Sequence, residues 1–127
     1  MTLFDTDVVI WMTRGNREAS AAINETESRA ISAVSYMEFV RGARDAREVR
    51  AFRNNLKALG FRILPVTESI TEKAVAIMDG FALSVRLDPD DALVFATALD
   101  YDITLCSGNE KHFSPIPGLK SQVFRPA

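Results

Sequence analysis

Residues 3–12 read LFDTDVVIWM, a short apolar pair followed by acidic and hydroxyl residues and then by a second apolar run. We interpret Leu3-Phe4 as a buried strand that ends at Asp5, and Val8 to Met12 as the beginning of a helix. A short apolar strand that passes directly into a helix is the repeating unit of α/β proteins with a parallel sheet. This stretch therefore predicts the fold class.

The rest of the chain repeats this alternation of strands and helices. Further strands are predicted at residues 30–34, 61–66, 103–106 and 122–124. Helices are predicted between them, and the spacings Ser35 to Glu38 and Ser69 to Glu72 are typical of capping boxes that start two of these helices. Parallel strands joined by helices require right-handed crossovers, which place helices on both faces of the sheet. We expect residues 1–127 to form a single domain, a three-layer α/β/α sandwich with a central parallel sheet.

Composition places the chain among ordinary globular proteins. It has 127 residues, of which 47% are hydrophobic and 25% are charged, enough for one hydrophobic core. No apolar run approaches the ~20 residues that span a bilayer, and the N-terminus lacks the features of a signal peptide. The single cysteine, Cys106, is typical of a reducing compartment, where it is expected to be a small buried residue. We therefore expect a cytoplasmic protein without a membrane partner.

The charge distribution is uneven. The net charge is −2 and the pI is about 5.4, which does not indicate a general nucleic-acid binder. Residues 41–57 nevertheless hold six basic and two acidic side chains. This segment permits a local phosphate-facing surface. Its basic residues recur every three positions and so turn around a helix, which favours a solvated helix over a single basic stripe.

Polar side chains follow several of the predicted strands. Asp5, Glu38, Asp91 and Asn109 each lie at a strand exit or in the first turn of the next helix. The carboxyl ends of parallel strands share one edge of the sheet, where ligands bind. Two like charges about 4 Å apart repel by roughly 4 kcal/mol at an effective dielectric constant near 20. Three carboxylates at this edge therefore indicate a site for a divalent cation.

Each of these residues also has a structural interpretation. Asp5 could cap a helix, although other nearby residues could do so equally well. Glu38 fits a capping box, Asp91 could complement a helix dipole, and Asn109 could form a turn. Asp91 precedes a strongly apolar helix, where carboxylates are rarely left unpaired. His112, the only histidine, is expected to be a surface or capping residue.

Five segments of the chain together resemble the PIN-domain ribonucleases, and in particular the VapC-like toxins of toxin–antitoxin pairs. They are FDTDVVIW (4–11), SAVSYMEFVRG (32–42), PDDALVFATAL (89–99), LCSGNEKHF (105–113) and IPGL (116–119). Their order and spacing match the family along essentially the whole chain. The resemblance therefore concerns the complete fold and not one local motif.

The resemblance implies a PIN-like fold and a metal-dependent endoribonuclease that hydrolyses RNA phosphodiester bonds. Asp5, Glu38 and Asp91 would bind Mg²⁺ or Mn²⁺, and Asn109 would complete the catalytic set beside the hydroxyl of Ser107. The expected partners are an RNA substrate, a small cognate antitoxin that inserts into the acidic groove, and a second copy of the chain in a homodimer.

Three alternatives remain open at this point. The run DTDVV at residues 5–9 also fits the opening of haloacid-dehalogenase-like phosphatases, with Ser35 and Lys73 as candidates for their further residues. A receiver-like signalling domain has a similar length, but the third strand ends in Leu64-Pro65-Val66 where a phosphorylatable aspartate is required. A PIN-like scaffold that only binds a partner is the third alternative.

Overall fold

The computed structural model describes residues 1–126, which contain five strands and seven helices. The strands are β1 (Thr2–Phe4), β2 (Arg29–Ser32), β3 (Arg62–Leu64), β4 (Thr104–Ser107) and β5 (Ser121–Val123). The helices are α1 (Thr6–Thr13), α2 (Arg17–Asn24), α3 (Ala33–Gly42), α4 (Ala46–Ala58), α5 (Glu68–Val85), α6 (Pro89–Tyr101) and α7 (Glu110–Phe113). None of the helices among these residues has the length and apolar character needed to cross a bilayer.

All five strands are parallel and are arranged in the order β3-β2-β1-β4-β5. Leu3 of β1 pairs with Ala30 on one side and with Leu105 on the other. The strand order reverses between β1 and β4, and such a switch point opens a crevice at the carboxyl ends of the strands. Receiver domains have the order 2-1-3-4-5, so this topology excludes the receiver-like alternative.

The sheet separates two apolar cores, because neighbouring side chains of a strand point to opposite faces. Leu3 packs with Phe95 of α6 on one face, where α5 also lies. Phe4 packs with Phe52 of α4 on the other face, where α1 and α2 also lie. The predicted three-layer α/β/α sandwich is confirmed.

The start of α3 differs from the prediction. β2 ends at Ser32, whose Oγ accepts a hydrogen bond from the Val34 amide at 3.1 Å and caps α3. The capping box predicted between Ser35 and Glu38 is therefore wrong, because the helix has already begun three residues earlier. Ser35 is buried within α3, and its Oγ has no hydrogen-bond partner among residues 1–126. Glu38 is consequently free to reach another element.

The start of α5 also differs from the prediction. Thr67 caps this helix by accepting a hydrogen bond from the Ile70 amide at 3.2 Å, so the capping box predicted at Ser69 is wrong. Ser69 instead donates a hydrogen bond to Asp100 of α6. β3 is shorter than predicted because Pro65, which has no N–H to donate, follows Leu64 directly.

Two further sequence interpretations concern Cys106 and the basic segment. Cys106 is buried in β4, as expected, and burial raises the pKa of its thiol to about 11. Residues 41–57 form the end of α3 and most of α4, and the arginine and lysine side chains of this segment are exposed. These basic residues therefore belong to solvated helical surface.

Candidate metal centre

A cleft of about 470 Å³ opens at the carboxyl ends of β1 and β4, at the switch point of the sheet. Asp5, Glu38, Asp91 and Asn109 all line this cleft, although they come from four separate parts of the chain. The remaining lining residues are Thr6, Asp7, Ile10 and Gly108. The fold thus brings together all four residues proposed from the sequence and adds a fourth carboxylate, that of Asp7.

Asp5 is the most enclosed carboxylate of the cleft, with 8% of its surface exposed. It occupies the N-cap position of α1, where Oδ1 accepts from the Thr6 amide at 2.8 Å. Oδ2 accepts from Ser107 Oγ at 2.8 Å and so joins the ends of β1 and β4. Burial, reinforced by the nearby charge of Asp7, raises the pKa of Asp5 to about 7 against these hydrogen bonds. A further positive charge in the cleft would therefore favour the ionised form of Asp5.

Asp7 holds the turn that follows β4. Its Oδ1 accepts from the Val8 amide and its Oδ2 from the Gly108 amide, both at 2.8 Å. A Cβ on Gly108 would lie 2.7 Å from Asp7 Oδ2 and 3.2 Å from the Phe124 carbonyl oxygen, so any larger residue would displace this contact. Burial raises the pKa of Asp7 as well. No local pattern in the sequence indicates this contact, because Gly108 is 101 residues away from Asp7.

Glu38 extends from α3 to the start of α1. Its Oε1 accepts a hydrogen bond from Thr6 Oγ1 at 2.9 Å. Burial raises the pKa of Glu38, and repulsion from Asp90 and Asp91 adds to this effect, while Arg41 opposes it. Glu38 therefore belongs electrostatically to the acidic cleft and not to a helix cap.

Asp91 lies in the first turn of α6, where its Oδ2 is 3.2 Å from Nδ1 of His112. Burial raises the pKa of Asp91, and His112 acts in the opposite direction. His112 was expected to be a surface or capping residue, but it contacts a carboxylate of the cleft. No local pattern signals this contact, since the two residues belong to different helices 21 positions apart.

Asn109 lies two residues beyond the end of β4, in the lining of the cleft and at the start of α7. Its backbone N–H donates to Ser107 Oγ at 3.0 Å, and its side chain makes no capping hydrogen bond to α7. Ser107 therefore links the backbone of Asn109 to the carboxylate of Asp5 through a single buried hydroxyl. This link fixes the position of both residues relative to the switch point.

The donors in the cleft suit a hard divalent cation, which prefers carboxylate and carbonyl oxygens. Among residues 1–126, no three His, Cys, Asp or Glu side chains are close enough to form a complete metal-binding group by themselves. Each carboxylate has a hydrogen-bond partner of its own instead. Ser107 bonds to Asp5, Thr6 to Glu38 and His112 to Asp91, and these contacts lie on different sides of the cleft. Mg²⁺ commonly uses one or two carboxylates and keeps several waters, so a complete protein cage is not required. The donor set therefore fits such an ion.

Comparison with known proteins identifies the family of this fold. The family model of the PIN domain matches residues 2–118. The chain belongs to the PIN domain family. No curated protein sequence shows a significant match to it.

Solved structures agree with this assignment. The PIN domain is similar to a chain of a toxin–antitoxin complex from Klebsiella pneumoniae, with 31% identity over 94% of this chain and 95% of that chain and a TM-score of 0.76. Two more distant similarities concern the fold alone. VapBC2 from Rickettsia felis bound to a DNA fragment from its promoter has 14% identity, 98% coverage of both chains and a TM-score of 0.83. FitAcB from Neisseria gonorrhoeae has 21% identity, coverage of 95% and 96%, and a TM-score of 0.74.

The family assignment also decides between the sequence interpretations. The resemblance to VapC-like PIN domains is confirmed. The haloacid-dehalogenase-like alternative is not supported, because its two candidate residues do not line the cleft. Ser35 is buried within α3, and Lys73 donates to Asp100 and Ser69.

Proposed function

We propose that this PIN domain is a Mg²⁺- or Mn²⁺-dependent endoribonuclease and the toxin of a toxin–antitoxin pair. The observation that carries the proposal is the group of four carboxylates around one cleft, those of Asp5, Asp7, Glu38 and Asp91. Within residues 1–126, none of them forms a salt bridge with a lysine or arginine. Carboxylates that are partly buried around one cleft without a lysine or arginine partner favour an external cation.

Asp5 and Asp91 are the principal metal ligands in this proposal. When bound, the ion would act as a Lewis acid that polarises the phosphodiester and lowers the pKa of a water molecule bound to it. Glu38 would be a further ligand or a proton acceptor, and burial raises the pKa of this carboxyl above its usual range. Ser107 orients Asp5, and Asn109 orients water or substrate without adding negative charge.

The proposed partners follow from the family. The similar chain from Klebsiella pneumoniae was solved in a toxin–antitoxin complex, which supports a small antitoxin as the partner of this chain. An antitoxin segment that enters the cleft would need to offer positive charge to the four carboxylates. We also propose a homodimer in a cytoplasmic setting. Coexpression of the cognate antitoxin should relieve growth arrest caused by this chain, and persistent arrest would argue against the candidate tested.

RNA cleavage by the purified protein tests the enzymatic proposal. Wild-type protein should produce new RNA 5′ ends with Mg²⁺ or Mn²⁺ and none with EDTA. Asp5→Ala should remove this activity, whereas Asp79→Ala, which changes an exposed aspartate on α5, should not. Undiminished cleavage by folded Asp5→Ala would contradict the site assignment. A folded wild type that is inert on RNA with Mn²⁺ would favour the scaffold alternative.

A further inference from the structure

A second depression, of about 580 Å³, adjoins the metal cleft beyond the end of β4. Gly108 and Asn109 line both spaces, so the two lie on either side of the turn after β4. The other lining residues are Glu110, Lys111, Ser114 and Arg125. Every side chain in this set is polar or charged, so the depression offers no apolar anchor of the kind that protein partners use.

Arg125, which follows β5, is anchored over the turn after β4. Its Nη1 donates to the carbonyl oxygens of Gly108 at 3.2 Å and Phe124 at 3.3 Å, and Nη2 donates to Glu110 Oε1 at 2.9 Å. These contacts hold the guanidinium beside the cleft while the side chain stays 60% exposed. A guanidinium has five N–H donors, and within residues 1–126 three of them have partners. The donors that remain are available to a ligand.

The charge of the depression is opposite to that of the metal cleft. Lys111 is exposed and forms no salt bridge in the described part of the chain. Within residues 1–126, Glu110 is the one acidic partner of Arg125. Glu110 is half exposed, and a surface pair of this kind exchanges readily for a phosphate contact. Two cations against one carboxylate leave a positive rim directly beside four carboxylates. Arginine and lysine are the residues that contact phosphate oxygens.

We infer that Arg125 and Lys111 form a phosphate subsite that binds the RNA backbone next to the scissile phosphate. This inference rests on the proposed ribonuclease function. When single-stranded RNA binds with one phosphate in the metal cleft, the strand runs past the turn after β4. A neighbouring phosphate of the strand then contacts the side chains of Arg125 and Lys111. The subsite contributes affinity and positioning without reading the base sequence.

Equilibrium binding of a fluorescein-labelled single-stranded RNA tests the subsite, with metal chelated and with salt varied. Arg125→Gln and Lys111→Gln should each weaken binding roughly three- to tenfold. Each should also lower the slope of log affinity against log salt by about 0.7, the value per phosphate contact of single strands. Glu110→Gln should tighten binding, because it removes the competing carboxylate. Arg62→Gln, on the opposite edge strand β3, is the matched control and should bind like the wild type.

Folding and activity measurements separate the possible outcomes. Thermal melting shows whether Arg125→Gln remains folded after it loses the hydrogen bonds to the turn after β4. The charge-retaining Arg125→Lys should recover part of the RNA affinity that Arg125→Gln loses. If Lys111→Gln and folded Arg125→Gln bind RNA like the wild type, the subsite is wrong even when Mn²⁺-dependent cleavage is intact. If the wild type binds RNA through these residues but does not cleave it, the subsite stands and the ribonuclease proposal fails. A wild type that neither binds nor cleaves RNA overturns both.

Discussion

The two ends of α6 carry aspartates in contrasting surroundings. Near the C-terminal end, Asp100 accepts hydrogen bonds from Lys73 Nζ at 2.8 Å and from Ser69 Oγ, and the bond from Lys73 holds its pKa below the usual range. In the first turn, Asp91 faces the acidic cleft, and burial raises its pKa. One helix thus presents an aspartate that Lys73 neutralises and another that, within residues 1–126, forms no salt bridge with a lysine or arginine.

This difference distinguishes a carboxylate that a lysine neutralises from carboxylates that have no lysine or arginine partner in the described part of the chain. An exposed pair such as Asp100 with Lys73 contributes little to stability, and its neutralisation is complete within the chain. The carboxylates around Asp91 are costly to keep ionised together, because burial and like charges both favour protonation. This difference supports the proposal that Asp91 belongs to a site for an external cation, whereas Asp100 belongs to the surface.

The largest expected effect is on RNA cleavage. Asp91→Asn removes a proposed metal ligand at nearly constant volume and should reduce the rate by at least about 10²-fold. Asp100→Asn makes the same chemical change at the other end of α6 and should leave the rate within about twofold. Initial rates with saturating Mn²⁺ measure both variants. Equal losses in the two variants would show that the change acts through α6 stability and not through the cleft.

The next effect concerns pH and stability with the metal chelated. The pKa of Asp5 is raised to about 7 from 3.8. As the pH rises, Asp5 therefore stays protonated to a higher pH in the folded state than in the unfolded state. The resulting stability is fully present below about pH 4 and is lost as the pH rises through about 7, up to roughly 4 kcal/mol in total. Asp5→Asn should flatten this dependence in urea denaturation at pH 5 and pH 8. An unchanged pH dependence in this variant would disprove the assignment to Asp5.

A smaller effect is expected from Ser107, which positions Asp5. Ser107→Ala removes the hydrogen bond to Asp5 Oδ2 and should raise the Mn²⁺ concentration required for half-maximal cleavage about 10- to 100-fold. Ser84→Ala, which changes an exposed serine on α5, is the matched control and should require the same Mn²⁺ concentration as the wild type. A Mn²⁺ requirement unaltered by Ser107→Ala would mean that Asp5 does not need this support.

The smallest effect is expected at the C-terminal end of α6, where Lys73 neutralises Asp100. Lys73→Ala breaks the pair with Asp100 and should lower the melting temperature by at most about 3 °C, without any effect on cleavage. Differential scanning calorimetry and the cleavage assay check the two halves of this prediction. Loss of cleavage in folded Lys73→Ala would instead contradict the separation of this end of α6 from the cleft.

The sequence predicts the parts of this fold that depend on local pattern. The alternation of short apolar strands with helices was sufficient to predict a parallel sheet between helices. The acidic residues after the strands were sufficient to predict the edge of the sheet at which the cleft opens. Helix starts were less predictable, because Ser32 and Ser35 are equally good caps locally and only the end of β2 decides between them.

Contacts between distant segments lie outside any local pattern. Asp7 meets the Gly108 amide and His112 meets Asp91 only because the switch point brings the ends of β1, β4 and α6 together. The raised pKa of Asp5 likewise depends on burial that the complete fold creates. A surface or capping position was expected for His112, and no local pattern indicated the contact between Asp7 and Gly108.

Binding of Mn²⁺ to the protein without RNA tests the central claim most directly. Electron paramagnetic resonance measures free Mn²⁺ during a titration, so the readout is independent of cleavage and of the choice of RNA. We predict saturable binding by the wild type and by Asp100→Asn, and strongly weakened binding by Asp91→Asn and Asp5→Asn. Binding by Asp91→Asn and Asp5→Asn equal to that of the wild type would contradict the claim that the acidic cleft is a metal centre.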